Sequence, residues 1–254
     1  MAETRQFLYG WHAVEALLQR SPERVLELWL REDRADRRGE ALRRLAEAAQ
    51  LRIQGASGAQ LDKLAGEEAH QGVVARVRPQ AAWDESRLPD LVEGLSRPPL
   101  LLVLDGITDP HNLGACLRSA DAAGVDAVIA PRDRAAKLDG AARKVAAGAA
   151  EFVPFAAVTN LARTLDALKE RGVWLAGLAG EAERALFDAD LTGPVALVAG
   201  AEGTGLRRLT RERCDYLLRI PMSGHVASLN VSVSVGVALF DAVRQRRGHA
   251  SKPV

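Results

Sequence analysis

The chain has 254 residues, 34 Lys and Arg against 33 Asp and Glu, and 48% hydrophobic residues. That length and apolar content suit one large or two modest domains around packed cores, and the charge balance excludes a basic nucleic-acid tail, so any nucleic-acid contact must come from local patches. Two distant cysteines, Cys116 and Cys214, exclude a zinc site and a disulfide framework and fit a reducing compartment; with no signal-peptide pattern at the start and no apolar run long enough to span a bilayer, a cytoplasmic protein is expected.

Taken in chain order, residues 11–20 carry apolar groups at helical spacing, and residues 25–30 alternate as a strand does. Residues 36–50 predict an amphipathic helix with Leu42, Leu45 and Ala49 on one face. A short strand at 51–54, a helix at 59–65 and a strand at 72–77 complete a small α/β unit over residues 1–78. Residues 79–99, punctuated by Pro79, Pro89, Pro98 and Pro99, read as a linker with room for one short helix. From residue 100 the pattern alternates: strand 100–104, helix 112–123, strand 125–130, helix 141–147, strand 152–155, helix 161–171, and strands 173–178 and 195–199. Such alternation predicts an α/β domain over residues 100–254 with a parallel sheet covered on both faces. Residues 229–239, LNVSVSVGVAL, alternate with period two and by pattern alone form a strand. Yet they run into residues 240–247 without a turn signal and follow Ser228, a good helix N-cap.

Three segments carry the chemistry. The first, residues 105–118 (DGITDPHNLGACLR), follows a buried strand and opens a helix, the place where sites form in a parallel sheet. Taken singly, Asn112 is an ordinary N-cap and Arg118 a surface ion-pair residue, while Gly114 permits close approach. The second, residues 198–205 (VAGAEGTG), is a strand ending in a glycine-rich turn. Its glycine order fits neither a dinucleotide fingerprint nor a P-loop. Glu202 within it is a poor neighbour for phosphate and suits a sugar hydroxyl, an amino group or a cation, or else marks the start of the following helix. The third, residues 220–230 (IPMSGHVASLN), ends a strand at Pro221 and turns through small residues into Ser228, Leu229 and Asn230, which either cap a helix or hold a ligand. His111 and His225 lie in these loops and are read as ordinary loop polar residues. Two arginine clusters, Arg34, Arg37, Arg38, Arg43 and Arg44, and Arg207, Arg208, Arg211 and Arg213, are by themselves solvated helix faces.

The order Asn-x-Gly-x-x-x-Arg, Gly-x-Glu-x-x-Gly and Ile-Pro-Met followed by Ser-Leu-Asn-Val-Ser resembles the three signature motifs of the SpoU branch of the SPOUT methyltransferases. The likeness covers about residues 100–247. The wording is most similar to the bacterial 23S rRNA guanosine-2′-O-methyltransferases, whose N-terminal RNA-binding domain, resembling a ribosomal protein, is also echoed in YGWHAVEALL and HQGVVARV. The resemblance implies a deep trefoil knot, a C-terminal helix over residues 228–247, and a homodimer that buries the knot face, with no membrane association. It implies S-adenosylmethionine as methyl donor and no metal. It further implies a ribose 2′-hydroxyl acceptor on a guanosine in the peptidyl-transferase region of 23S rRNA, or alternatively on a tRNA or another rRNA site. Carried onto this chain, the cofactor set is Gly200, Ile220, Leu229, Met222, Leu178 and Gly180, and the catalytic set is Arg118, Asn112, Glu202, Ser228 and Asn230. A guanidinium does not deprotonate near neutral pH. The expected role of Arg118 is therefore to hold phosphate and stabilise a developing alkoxide. A nucleotide-dependent enzyme using the glycine turn, or a non-catalytic RNA binder, are the competing classes.

Overall fold

In the computed structural model, which describes residues 6–34, 36–65, 70–78, 83 and 85–250 (without the side chains of 249 and 250), the chain forms two units, Met1–Ala81 and Ala82–Val254. In the first unit the elements are β1 (Gln6–Tyr9), α1 (Trp11–Arg20), β2 (Val25–Arg31), α2 (Arg37–Ala48), β3 (Ile53–Ala56), α3 (Gly58–Ala65) and β4 (Val73–Val77). The sheet order is β1-β4-β2-β3. Strand β4 runs antiparallel to both neighbours, and β2 pairs parallel with β3. Strand β1 was not expected from the sequence; its four residues are only half-buried and carry no alternation to read. Helix α2 is capped by Asp36, whose carboxylate accepts the Gly39 N–H at 2.9 Å. Its fully buried apolar positions are Leu42 and Ala46, four apart, with Leu45 and Ala49 half-buried beside them.

In the second unit a short helix, α4 (Leu88–Gly94), lies inside the stretch expected to be a linker, and it buries Leu88 and Val92. Residues 79–82 and 84 of that stretch lie outside the described residues. There follow β5 (Leu100–Asp105), α5 (Pro110–Ala123), β6 (Ala127–Pro131), α6 (Gly140–Ala146), β7 (Phe155–Val158), α7 (Leu161–Glu170), β8 (Trp174–Leu178), β9 (Arg184–Ala185), β10 (Val195–Gly200), α8 (Arg208–Arg213), β11 (Tyr216–Arg219) and α9 (Val231–Ala250). All seven strands pair in parallel, in the order β7-β6-β5-β10-β8-β11-β9. Strands buried on both faces explain the unbroken apolar runs. Leu100, Leu102 and Leu104 point to the side holding Leu113 and Leu117 of α5 and Val235 and Leu239 of α9. Leu101 and Val103 point the opposite way, to Leu88 and to Leu161 and Leu165 of α7.

Two expectations shift. The strand expected at 152–155 lies at Phe155–Val158, because α6 ends in left-handed residues (Ala147 at φ 50°, Gly148 at φ 93°) and a short 3-10 turn, Ala149–Glu151, must be completed first. The helix expected from Asn112 begins at Pro110, with Asp109 as its cap. The ambiguous segment is helical. Its buried positions, Val231, Val235, Ala238, Leu239 and Ala242, follow helical spacing. The period-two look arises because Val233, on the solvent face, and half-buried Val237 fall midway between the buried Val231, Val235 and Leu239; Phe240, just past the run, is like Val233 50% exposed. Ser228 does not cap this helix. Asn230 does, its Oδ1 accepting the Ser232 N–H at 2.9 Å.

Candidate active site

Strands β5, β8, β10 and β11 deliver the loops of the site, and the register of the first three is tight: Gly200 lies opposite Asp105, and Val198 opposite both Val103 and Gly177. At the end of β10 the chain folds back on itself, with Ala201 and Gly205 exchanging two backbone hydrogen bonds (3.1 and 2.9 Å). A Cβ at Gly200 would meet the Gly205 carbonyl carbon at 2.1 Å and the Leu206 nitrogen at 2.4 Å. Only glycine fits there, and for a backbone reason rather than to admit a ligand directly. Gly114 plays a similar part in α5: a Cβ would lie 2.4 Å from the Ala142 oxygen, so the glycine lets α6 pack against α5.

Two adjoining cavities open beside this turn. The larger, about 570 Å³, is lined by Leu178, Gly180, Glu181, Gly200, Glu202, Thr204, Arg211, Ser228, Leu229, Asn230 and Ser234, among others. The smaller, about 130 Å³, is more apolar, with Leu178, Gly180, Leu218, Ile220, Met222, Ser228 and Leu229 in its walls. All six residues expected to hold the cofactor, Gly200, Ile220, Leu229, Met222, Leu178 and Gly180, line one or both. A combined space of this size and mixed polarity suits a drug-sized ligand with an apolar end and a charged end.

Asn230 joins the three motifs. Its Nδ2 donates to Asn112 Oδ1 at 3.0 Å and to Glu202 Oε1 at 2.5 Å. The backbone N–H of Val231 also donates to Glu202 Oε1, at 3.3 Å. Glu202 thus sits at the start of α9, not of α8, and the positive end of α9 favours its charge. With Asp109 accepting the His111 N–H at 2.9 Å, the cap of α5 is occupied and Asn112 is free to reach Asn230. The His111 N–H, followed by the His111 ring, holds the Asp109 carboxyl below the usual carboxylate range. Ser228 lines both cavities. Arg118 stands apart: it is exposed on α5, outside the walls of both cavities, and has no hydrogen-bonding or ionic partner among the described residues.

Several residues of the site were not picked out from the sequence. Asp105, fully buried at the end of β5, accepts the Arg207 N–H at 2.9 Å through Oδ2, while its Oδ1 lies 3.6 Å from Arg207 Nε. It ties the first motif to the end of the glycine turn. A carboxylate closing an all-apolar strand was the available signal. Glu181 and Arg211 pair across the wall of the larger cavity. The second arginine cluster is largely neutralised by its own acids, with Arg208 on Glu212 at 2.6 Å and Arg213 on Asp166 at 3.0 Å. Burial pushes the Cys116 thiol up to about 12, with Glu202 adding to the effect, so it is no nucleophile. Among the described residues no cluster of His, Cys, Asp and Glu could hold a metal ion, and no helix is long and apolar enough to cross a membrane.

Comparison with known proteins bears on the same residues. Residues 99–240 match the SpoU rRNA Methylase family, and residues 7–83 match the RNA 2'-O ribose methyltransferase substrate binding family. The chain is 56% identical over 240 residues to the 23S rRNA (guanosine-2'-O-)-methyltransferase RlmB of Pseudomonas putida, covering 94% of this chain and 96% of that protein. It is 59% identical over 241 residues to the protein of the same name from Yersinia pestis, covering 95% and 98%. Among solved structures, the SpoU methyltransferase AviRb from Streptomyces viridochromogenes, in complex with the cofactor AdoMet, is similar at a TM-score of 0.74 and 26% identity, over 96% of this chain and 91% of that one.

Proposed function

The chain belongs to the SpoU rRNA Methylase family, and on that premise we propose that it transfers a methyl group from S-adenosylmethionine to the ribose 2′-hydroxyl of a guanosine in 23S rRNA, in the peptidyl-transferase region. The observation that carries this reading is the Asn112–Asn230–Glu202 network. It joins the three motif loops at one edge of a cavity whose walls hold the expected cofactor residues.

The residues present fit the donor. Leu218, Ile220 and Met222 offer apolar walls to an adenine ring, and two carboxylates, Glu181 and Glu202, face the larger cavity, where a cation is favoured. S-adenosylmethionine supplies, when bound, a methyl group already activated on sulfur, so the protein's work is orientation and charge placement. Asn230 and Asn112 fix the loops and present amide groups to the ribose. Glu202 accepts from Asn230 and Val231 and lies where a hydroxyl proton could be received. Arg118 holds a neighbouring phosphate and stabilises the alkoxide as it forms, and Ser228 belongs to the same loop.

We assign the division of labour with it: residues 1–78 bind RNA, 79–99 connect, and 100–254 carry the chemistry within a knotted sheet. The exposed Val233 and Phe240, two helical turns apart on α9, support a homodimer that covers them. Gly236, between them, faces Ser119 of α5, next to Arg118, so that interface would border the proposed catalytic arginine. Sedimentation that returned only monomer would exclude it. The protein is proposed to act in the cytoplasm. The deciding experiment is methyl transfer from labelled S-adenosylmethionine to unmodified 23S rRNA, with the modified nucleotide mapped. A 2′-O-methylguanosine in the peptidyl-transferase region is expected. Modification of a base, or of tRNA alone, would refute the assignment.

A further inference from the structure

Of the residues lining the two cavities, only Glu181, Glu202 and Arg211 carry formal charge. They divide between two places. Glu202 is engaged with Asn230 and Val231 at the start of α9. Glu181, in the loop after β8, and Arg211, on α8, are paired with each other. Resting on the reading above, the donor carries a sulfonium, an α-ammonium and an α-carboxylate, a net charge of one positive at neutral pH. The lining carries one positive and two negative charges, the complementary sum. Arg211 is the single cation in these walls, and a carboxylate placed in a cavity needs one. The apolar subcavity formed by Leu218, Ile220 and Met222 is the fitting place for the adenine ring, which leaves the polar cavity beside Glu181 and Arg211 for the amino-acid end.

We infer that Glu181 and Arg211 form a clamp for the amino-acid end of the donor, Arg211 taking the α-carboxylate and Glu181 the α-ammonium in place of each other. The pair is suited to this exchange because it is weakly committed. The two side chains are 40% and 63% exposed, and ion pairs so open to water add little to the fold. The guanidinium offers a planar fork that matches a carboxylate. The Glu181 backbone N–H, followed by the Arg211 guanidinium, holds the Glu181 carboxyl below its ordinary range, so it stays charged for the ammonium. Neither residue touches the reacting atoms; both position the donor.

The test is calorimetric binding to the full-length protein of S-adenosylmethionine, its decarboxylated analogue and 5′-methylthioadenosine, which lacks the amino acid altogether. Arg211→Gln is expected to weaken S-adenosylmethionine about tenfold or more, while leaving the decarboxylated analogue and methylthioadenosine within about twofold. Glu181→Gln is expected to weaken both ammonium-bearing ligands and spare methylthioadenosine. No loss for S-adenosylmethionine, or an equal loss for all three ligands, would overturn the clamp. Failure of the unsubstituted protein to bind any of the three would instead strike at the cofactor assignment itself. Both side chains lie at the surface, so thermal melting of the variants should match the parent chain and exclude misfolding as the cause of any loss.

Discussion

Asn230 makes more of the site's contacts than any other single side chain there. Its Oδ1 caps α9 through the Ser232 N–H, and its Nδ2 bridges Asn112 and Glu202. Asn230→Asp keeps the capping oxygen but turns the bridging donor into an acceptor 2.5 Å from a carboxylate. Two like charges so close repel each other and break the bridge when both are ionised. Methyl transfer should fall by at least about tenfold at neutral pH and recover in part near about pH 5, where one proton is shared; a flat pH profile would dismiss the bridge. Arg118 is the opposite case, a charge without a partner among the described residues. Arg118→Ala should lower kcat by roughly 10²–10³ while donor affinity, read by calorimetry, stays put. A matching loss of affinity would move Arg118 from the reaction to the cofactor. Cys116 gives a pH prediction. Its thiol ordinarily titrates at 9.0, and burial raises it to about 12 in the fold. The neutral form is favoured in the native state, so this stabilisation is complete below pH 9.0 and fades as pH climbs toward about 12. Near pH 8 the native thiolate fraction should be about a thousandfold below that of the unfolded chain. Iodoacetamide labelling followed by mass spectrometry should find Cys116 untouched until denaturant is added.

At the scale of elements, the glycine turn after β10 tests how a backbone makes a pocket. Gly200→Ala forces a methyl group against the Gly205 carbonyl, a contact no side-chain rotation relieves. A destabilisation of roughly 1–3 kcal/mol in urea melts is expected, together with loss of donor binding. An unchanged midpoint with full binding would mean the turn can open freely. The elements also show what could be read in advance. Strands β5, β6, β8 and β10 were legible because parallel strands buried on both faces leave unbroken apolar runs, and the three motifs were legible because their residue types recur in order. Strand β7 was misplaced because the left-handed end of α6 at Ala147 and Gly148 has no strong signature in an alanine-rich stretch. Helix α9 disguised itself because exposed Val233 and half-buried Val237 fall between the core residues Val231, Val235 and Leu239 and complete a two-residue period. The pairing of Glu181 with Arg211 was invisible, since 30 residues separate them and only the parallel order of β8, β10 and β11 brings their loops together.

For the whole molecule, the separate cores of Met1–Ala81 and Ala82–Val254 permit a cut between recognition and chemistry. Every residue lining the two cavities belongs to the second unit. In the first unit, by contrast, Arg37, Arg38, Arg43 and Arg44 are exposed on α2, the kind of basic face that contacts phosphates. A chain lacking residues 1–78 should therefore bind S-adenosylmethionine as the full protein does, while methylating 23S rRNA far more slowly because its RNA affinity is lost. Phosphate contacts weaken steeply with salt, so the full-length protein's KM for RNA should rise as ionic strength rises, and the truncated chain's should change less. If the truncated chain methylated rRNA at the full rate, with the same salt dependence, the substrate would be recognised by the catalytic unit alone. The N-terminal unit would then need another purpose.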